Sequence, residues 1–354
     1  MVVSGCYKEH FLEYKKTQTT APIFFHGDAL HVLKELPDSS VDMAMTSPPY
    51  WSQREYENGG IGLERNYHEY IERLLVIFQE LWRVLKPSGS FWLNVGDAYS
   101  QKRLLAIPWR IAIAMIDQQG WILRNHVVWH KVKGGPDNAK DKLRNVWEPL
   151  FHFVKQPKGY YYNIDAVRLN PRKASIKDDG TVISATGVRG VRYRRQIELS
   201  TTLTEKEKQE ALQALDKMLE AVAEGKIADF RMIIRGQQRV THSDSESVSG
   251  RAKELNKKGF YFLKYHPRGA KPSDVWDIIP EDTQKRTLHF APYPEELCRI
   301  PILVSCPSGG IVLDPFCGTG TTNLVASKLG RKSVGIDISQ KYLIIAQERC
   351  ATML

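Results

Sequence analysis

Six consecutive residues, Thr46-Ser47-Pro48-Pro49-Tyr50-Trp51, put a hydroxyl, two proline carbonyls and an aromatic face at one point of the chain. They follow Val41 to Met45, a short apolar run that reads as a buried strand and ends at the prolines, which cannot donate to a ladder. Such a tip suits a flat heterocycle bearing an exocyclic amine. The Ser47 oxygen and the Pro48 carbonyl can accept the two amine protons while Tyr50 stacks on the ring, an interaction worth about 1–3 kcal/mol. Four residues of this kind also occur where an ordinary strand runs into a proline turn, so a second constellation has to decide.

That constellation lies near the C-terminus. Gly309 to Thr322, with Asp314-Pro315-Phe316-Cys317-Gly318-Thr319-Gly320-Thr321 at its centre, reads as a strand, a glycine-rich turn and a helix continuing to about Leu329. Glycines allow a ligand close to the backbone, and a helix N-terminus offers unpaired N–H groups. The next strand, Ser333 to Asp337, ends in an acid, the type of residue that holds ribose hydroxyls at a strand end. No Gly-Lys-Ser/Thr ending follows the turn, which argues against a loop for nucleoside triphosphates.

The elements that would carry these tips alternate. Ile23-Phe24-Phe25 is a strand and Ala29 to Leu36 a helix with Asp28 as N-cap; Pro37 to Ser40 breaks it before the Val41 strand. Apolar residues from Tyr70 to Leu85 recur at helical spacing behind the capping pair Asn66 and Glu69, and Lys86 to Gly89 ends that helix ahead of a strand over Ser90 to Val95. A helix over Pro108 to Gln118 and strands over Trp121 to His130 and Leu150 to Val154 follow, and Lys155 to Gly159 marks a boundary. Alternation of this kind predicts a doubly wound α/β sheet, whose ligands bind at the carboxyl edge. From about Tyr160 to Arg286 the rhythm is lost. Arg189, Arg192, Arg194 and Arg195 cluster around Tyr193, a pattern that fits a solvated surface or a phosphate-binding one. Thr204 and Glu207 form a capping box for a helix whose apolar stripe, Leu212, Leu215, Leu219 and Val222, reads as core, with Gly225 as its stop. Thr241 to Gly250 is polar and reads as mobile.

Taken together, these motifs resemble the S-adenosylmethionine-dependent amino-methyltransferases of DNA in their circularly permuted, beta-group order. The Thr-Ser-Pro-Pro-Tyr tip comes first, a variable region follows, and His289 to Leu297 precedes the Asp-Pro-Phe-Cys-Gly-Thr-Gly turn. The resemblance covers most of Ile23 to Lys155 and His289 to the C-terminus. It implies a Rossmann-like, doubly wound methyltransferase sheet, permuted and carrying an inserted target-recognition region. Residues 1–159 form the catalytic half, 160–286 the recognition region and 287–354 the cofactor half. By the same resemblance Ser47, Pro48, Pro49 and Tyr50 are the catalytic set. Asp314 meets the methionine amine, Phe316, Gly318, Gly320 and Thr321 line the cofactor, Asp337 takes the ribose and Asp28 lies near the adenine. Arg189, Arg192, Arg194 and Arg195 are expected on DNA phosphates, and His289 to Leu297 at the closing of the cofactor pocket.

The implied reaction is base flipping in duplex DNA and methylation of the exocyclic N4 amine of cytosine in a restriction-modification setting, with an endonuclease for the same site as the implied partner. Ser47 favours cytosine because relatives that methylate adenine mostly carry Asp or Asn there; N6-adenine methylation is the rival. RNA or a protein amide is a third acceptor, and a DNA-binding module with a vestigial fold the reading from another class. Carbon-5 methylation would need a Pro-Cys nucleophile at a tip, whereas the chain has only Cys306-Pro307 in the reverse order, and Cys317 reads as packing. Five cysteines without a Cys-x-x-Cys pair suggest neither a disulfide framework nor a metal site. A net charge of +10 permits a polyanionic partner, and the lack of a long apolar run or an apolar N-terminal segment predicts no membrane span and a cytoplasmic location.

Overall fold

The computed structural model describes residues 1–52, 60–134, 138–170, 174–178, 182–183, 190–236, 250–281 and 293–351. Arg189, most of the polar stretch 241–250 and the segment 289–292 lie outside them. The chain divides into two units, one of Met1–Val167 with Ser273–Leu354, the other of Arg168–Pro272. Residues 160–167 and 273–281, which composition groups with the insertion, therefore belong to the larger unit, where Val275–Asp277 pairs with Val128–His130.

The larger unit holds a sheet of nine described strands: β1 (Val2–Val3), β2 (Ile23–His26), β3 (Val41–Thr46), β4 (Leu85–Asn94), β5 (Ile122–His130), β6 (Trp147–Val154), β7 (Val275–Asp277), β8 (Ile311–Asp314) and β9 (Lys332–Asp337). Their spatial order is β1-β2-β9-β8-β3-β4-β6-β5-β7. All neighbours run parallel except β6, which is antiparallel to β4 and β5. The two strands from the end of the chain thus sit between β2 and β3. This insertion puts the glycine-rich turn beside the Ser-Pro-Pro-Tyr tip.

Both faces of the sheet are covered, which explains why its central strands are apolar at nearly every position. Ala44, Phe91, Phe153 and Leu313 pack with helices α1 (Tyr7–Lys16), α2 (Ala29–Glu35), α3 (Tyr67–Val84) and α4 (Ile107–Gln119). On the other face, Met43, Met45, Trp92 and Val312 pack with α8 (Glu295–Ser305) and α9 (Thr321–Lys328), which follow α5 (Gly190–Glu198), α6 (Glu205–Ala223) and α7 (Gly250–Lys258) of the smaller unit. The terminal helix α10 (Gln340–Ala351) covers Phe24 through Leu343 and Ala346. Asp28 and Asn66 cap α2 and α3 by accepting from His31 N and from His68 N and Glu69 N.

Two expected strand starts move by three residues or more. Strand β4 starts directly at Leu85, and Lys86 to Gly89 belong to it as a bulge, because the pairing jumps from Val41↔Leu85 to Met43↔Ser90. Pro87 is tolerated there since a bulged residue needs no ladder donor. Asp42 fastens the step by accepting from Lys86 Nζ at 2.6 Å and from Ile311 N at 2.9 Å. The antiparallel β6 likewise begins at Trp147, three residues before the apolar run suggests.

In the smaller unit, α6 (Glu205–Ala223) carries the Thr204–Glu207 capping box, and Leu215 and Val222 are buried among Tyr193, Ile197, Phe230 and Met232. Asp229–Ile234 pairs antiparallel with Phe260–Tyr265. Of the arginine cluster, Arg194 is committed: from α5 (Gly190–Glu198) it ion-pairs with Asp216 of α6, so it braces two helices. Arg192 and Arg195 are exposed. Among the described residues no helix is long and apolar enough to cross a membrane, and no cluster of three His, Cys, Asp or Glu could hold a metal.

Candidate active site

Strands β3, β8 and β9 end side by side, and each end carries one of the polar tips. Asp314 closes β8 and is buried at 2% exposure. Its Oδ1 accepts from Thr46 Oγ1 at 2.6 Å and from Phe316 N at 3.1 Å; its Oδ2 accepts from Thr322 Oγ1 at 2.5 Å and from Tyr293 Oη at 3.2 Å. Tyr293 Oη also lies against Thr322 Oγ1, closer than it lies to Asp314, so its one proton is shared between them and the carboxylate has three committed donors with Tyr293 as a fourth in reach. Burial pushes the Asp314 carboxyl above its usual range, and these hydrogen bonds, Thr322 and Thr46 foremost, draw it back. In this arrangement Asp314 is a cross-link between the glycine-rich turn and the residue preceding Ser47. A ligand ammonium at Oδ2 would compete there with the 3.2 Å contact from Tyr293.

The turn itself is shaped by backbone. Gly318 and Gly320 have φ of 51° and 74°, the left-handed region that favours glycine. A Cβ on Gly320 would also lie 2.8 Å from Ala346 Cβ. Arg349 of α10 clamps the turn by donating to Thr319 O at 2.7 Å and to Thr321 Oγ1 at 3.3 Å, so Thr321 is buried with its hydroxyl toward that arginine. Phe316 is half-buried at the turn. Asp337 closes β9, with Oδ2 accepting from Gly318 N at 2.9 Å and Oδ1 from Ser339 N at 2.8 Å. Each of its oxygens keeps a lone pair beyond these bonds. Burial raises the Asp337 carboxyl to about 6. Asp28 stands exposed at the start of α2, one residue beyond Gly27, whose N–H donates to Asp337 O at 3.0 Å.

At the β3 tip the sequence-predicted residues have distinct jobs. The Pro49 carbonyl accepts from Tyr70 Oη of α3 at 2.9 Å, and the Trp51 indole donates to Glu64 O at 3.1 Å; both fix the turn. Tyr50 lies against the backbone of Gly96, where an added Cβ would come within 2.4 Å of its ring. The Tyr50 hydroxyl lies 3.3 Å from Ser47 Oγ, 3.2 Å from Asn94 Oδ1 and 2.8 Å from Glu148 Oε2. Glu148, in turn, accepts from Lys131 Nζ at 2.5 Å. The site therefore includes residues that motif reading passed over: Thr46, Asn94, Lys131, Glu148 and Arg349. The first was visible as part of the tip; the others come from strands and a helix whose placement no local pattern gives. Arg192 and Arg195 lie in the other unit, and Arg189 outside the described residues.

The model of the DNA methylase family for N6 and N4 methylation matches residues 41–348. The Type II methyltransferase M.SfiI of Streptomyces fimbriatus is 31% identical over 90% of this chain and 88% of its own. M.Cfr9I of Citrobacter freundii is 30% identical over 92% of this chain and 86% of its own. Among solved structures, the cytosine-N4-specific PvuII DNA methyltransferase superposes with a TM-score of 0.56 at 18% identity, covering 94% of this chain and 87% of that one.

Proposed function

This chain belongs to the N6/N4 DNA methylase family and is a DNA methyltransferase, and on that footing we propose that it methylates the exocyclic N4 amine of cytosine in duplex DNA, with S-adenosylmethionine as donor. The observation that carries the reading is the 2.6 Å bond from Thr46 to Asp314, which ties the Ser-Pro-Pro-Tyr tip to the glycine-rich turn at adjacent strand ends. The flipped base stacks on Tyr50, a contact indifferent to base identity. Ser47 Oγ and the Pro48 carbonyl accept from the amine, hold its lone pair in line with the sulfonium methyl, and leave positioning and electrostatics to supply the rate. A neutral hydroxyl leaves room for the cytosine amine without adding charge, and the nearby Tyr50 phenol, pushed well above its ordinary range by burial, stays protonated throughout. The relatives named above are Type II methyltransferases, which supports a restriction-modification setting with an endonuclease for the same site. Expression in a host without DNA methylation, followed by nucleoside mass spectrometry and mapping, tests the reading. N4-methylcytosine is expected; N6-methyladenine alone moves the target to adenine, and unmodified DNA favours a binding module.

The cofactor half carries a pH signature. Asp337 accepts ribose hydroxyl protons as a carboxylate, so binding favours its ionised form. With a carboxyl raised to about 6, affinity for S-adenosylmethionine is complete above that pH. Below it, affinity falls by up to about tenfold per pH unit. Calorimetry between roughly pH 5 and pH 7 checks this, against Asp337→Asn, which binds more weakly with a flat profile. A flat wild-type profile removes Asp337 from the ribose.

For DNA we assign phosphate contacts to the exposed Arg192 and Arg195, and none to Arg194, whose guanidinium is paired with Asp216. Alanine at both positions should weaken DNA binding and reduce the log–log salt slope by up to about two. Wild-type affinity and slope in that variant would make the pair a solvated helix face.

A further inference from the structure

Ser47, Tyr50 and Glu148 form a chain of hydrogen bonds with a direction. Tyr50 has one proton and two acceptors in reach, Glu148 Oε2 at 2.8 Å and Asn94 Oδ1 at 3.2 Å. The shorter contact, to a charged oxygen, takes it. Its oxygen then has only lone pairs to offer Ser47, whose Oγ donates across 3.3 Å. With the Ser47 proton turned inward, the Ser47 lone pairs face outward. Glu148 is held in this task from its other side. Lys131 Nζ donates to Oε1 at 2.5 Å, Asn94 Nδ2 to Oε2 at 3.3 Å, and the carboxylate side chain is 14% exposed. The register of β6 against β5, Glu148 opposite Trp129, brings this acid to the same sheet edge as the β3 tip.

We propose that Glu148 is a positioning residue for methyl transfer, acting through the Tyr50 hydroxyl to aim the Ser47 lone pairs at the target amine. The inference rests on the reading of Ser47 as the acceptor of an amine proton. Without the carboxylate, the Tyr50 proton loses its strongest acceptor and divides between Asn94 Oδ1 at 3.2 Å and Ser47 Oγ at 3.3 Å, and in the second of these states the chain reverses. The Ser47 oxygen then accepts from Tyr50 and directs its own proton at the amine, donor against donor. That reversal raises the barrier to transfer and does nothing to the cofactor pocket across β8 and β9. A merely structural role, neutralising Lys131, has a different signature: lost stability, and an effect that is the same whatever stands at position 50.

The test is a double-mutant cycle in the full chain. Glu148→Gln, Tyr50→Phe, their combination and Ser47→Ala are compared for single-turnover methyl transfer, for binding of S-adenosylmethionine and DNA, and for thermal midpoint. Glu148→Gln should slow transfer by about tenfold or more with both dissociation constants within about twofold of wild type, and in the Tyr50→Phe background should cost less than about twofold further. Equal losses in the two backgrounds, or a loss confined to binding or stability, overturn the proposal. Ser47→Ala separates the layers. A full rate there removes the amine-acceptor reading and this inference with it, whereas a slow Ser47→Ala beside a full-rate Glu148→Gln removes this inference alone.

Discussion

Ser47→Ala should lower the rate of methyl transfer on the order of a hundredfold or more while the dissociation constant for S-adenosylmethionine moves by less than about twofold. The magnitude follows from what a preorganised hydrogen-bonding group is worth in a water-excluded site, on the order of 3–4 kcal/mol when it acts only on the reacting geometry. The proposed function makes Ser47 such a group, and its contacts fix it in the tip: it donates to Tyr50 at 3.3 Å and stands one residue beyond the Thr46 side chain that binds Asp314. An exocyclic amine is a poor nucleophile until its lone pair is drawn out of conjugation with the ring. Removing one acceptor lets the amine relax to planarity, with nothing lost on the cofactor side, where Asp314 and the turn are untouched. Serine also lacks the basicity to hold the released proton, so the proton leaves only after the methyl has moved. Rapid-quench measurement with labelled cofactor, set beside calorimetry, separates the two quantities. A variant that transfers methyl at the wild-type rate would show that Ser47 is only the end of a strand.

Much of this site was legible because its parts are local. A strand that stops at two prolines, a glycine-rich turn after an acid, a second acid at the next strand end, and caps such as Asn66 are each written within a few residues. What was hidden is what depends on non-local register. Glu148 stands ahead of an apolar run that reads as starting at Leu150, and nothing in that run says that β6 is antiparallel or that residue 148 arrives beside Tyr50. Arg194 looked like its exposed neighbours, but its place on α5 faces Asp216 on the next helix, 22 residues away in sequence and one ion pair apart in space. The bulge at Lys86 to Gly89 misled for a related reason: proline and glycine signal an interruption, and a bulge interrupts the ladder without ending the strand.

Asp314 shows the same contrast most sharply, and its replacement is the second large effect. Motif reading makes it a ligand of the methionine amine, for which Asp314→Ala abolishes cofactor binding and spares the fold. The buried geometry adds a cost in stability. Three donors, from Thr46, Phe316 and Thr322, lose their acceptor together in a place that water reaches poorly, while Tyr293 keeps its contact with Thr322. Leaving buried donors unpaired costs about 1–3 kcal/mol each before relaxation, so Asp314→Ala should lose several kcal/mol of stability as well as more than about a hundredfold in cofactor affinity. Thr46→Val divides the two effects. It keeps the carboxylate and its remaining donors, and so keeps the turn, but cuts the bond that ties β8 to the residue before Ser47. Cofactor affinity in Thr46→Val should remain within about threefold of wild type while transfer slows by about tenfold or more, the pattern of a misplaced tip. Chemical denaturation, calorimetry and single-turnover transfer on the three proteins decide the matter: an Asp314→Ala protein as stable as wild type removes the cross-link, unchanged cofactor affinity in that variant removes the ligand role, and a full rate in Thr46→Val shows that the two strand tips hold their places without each other.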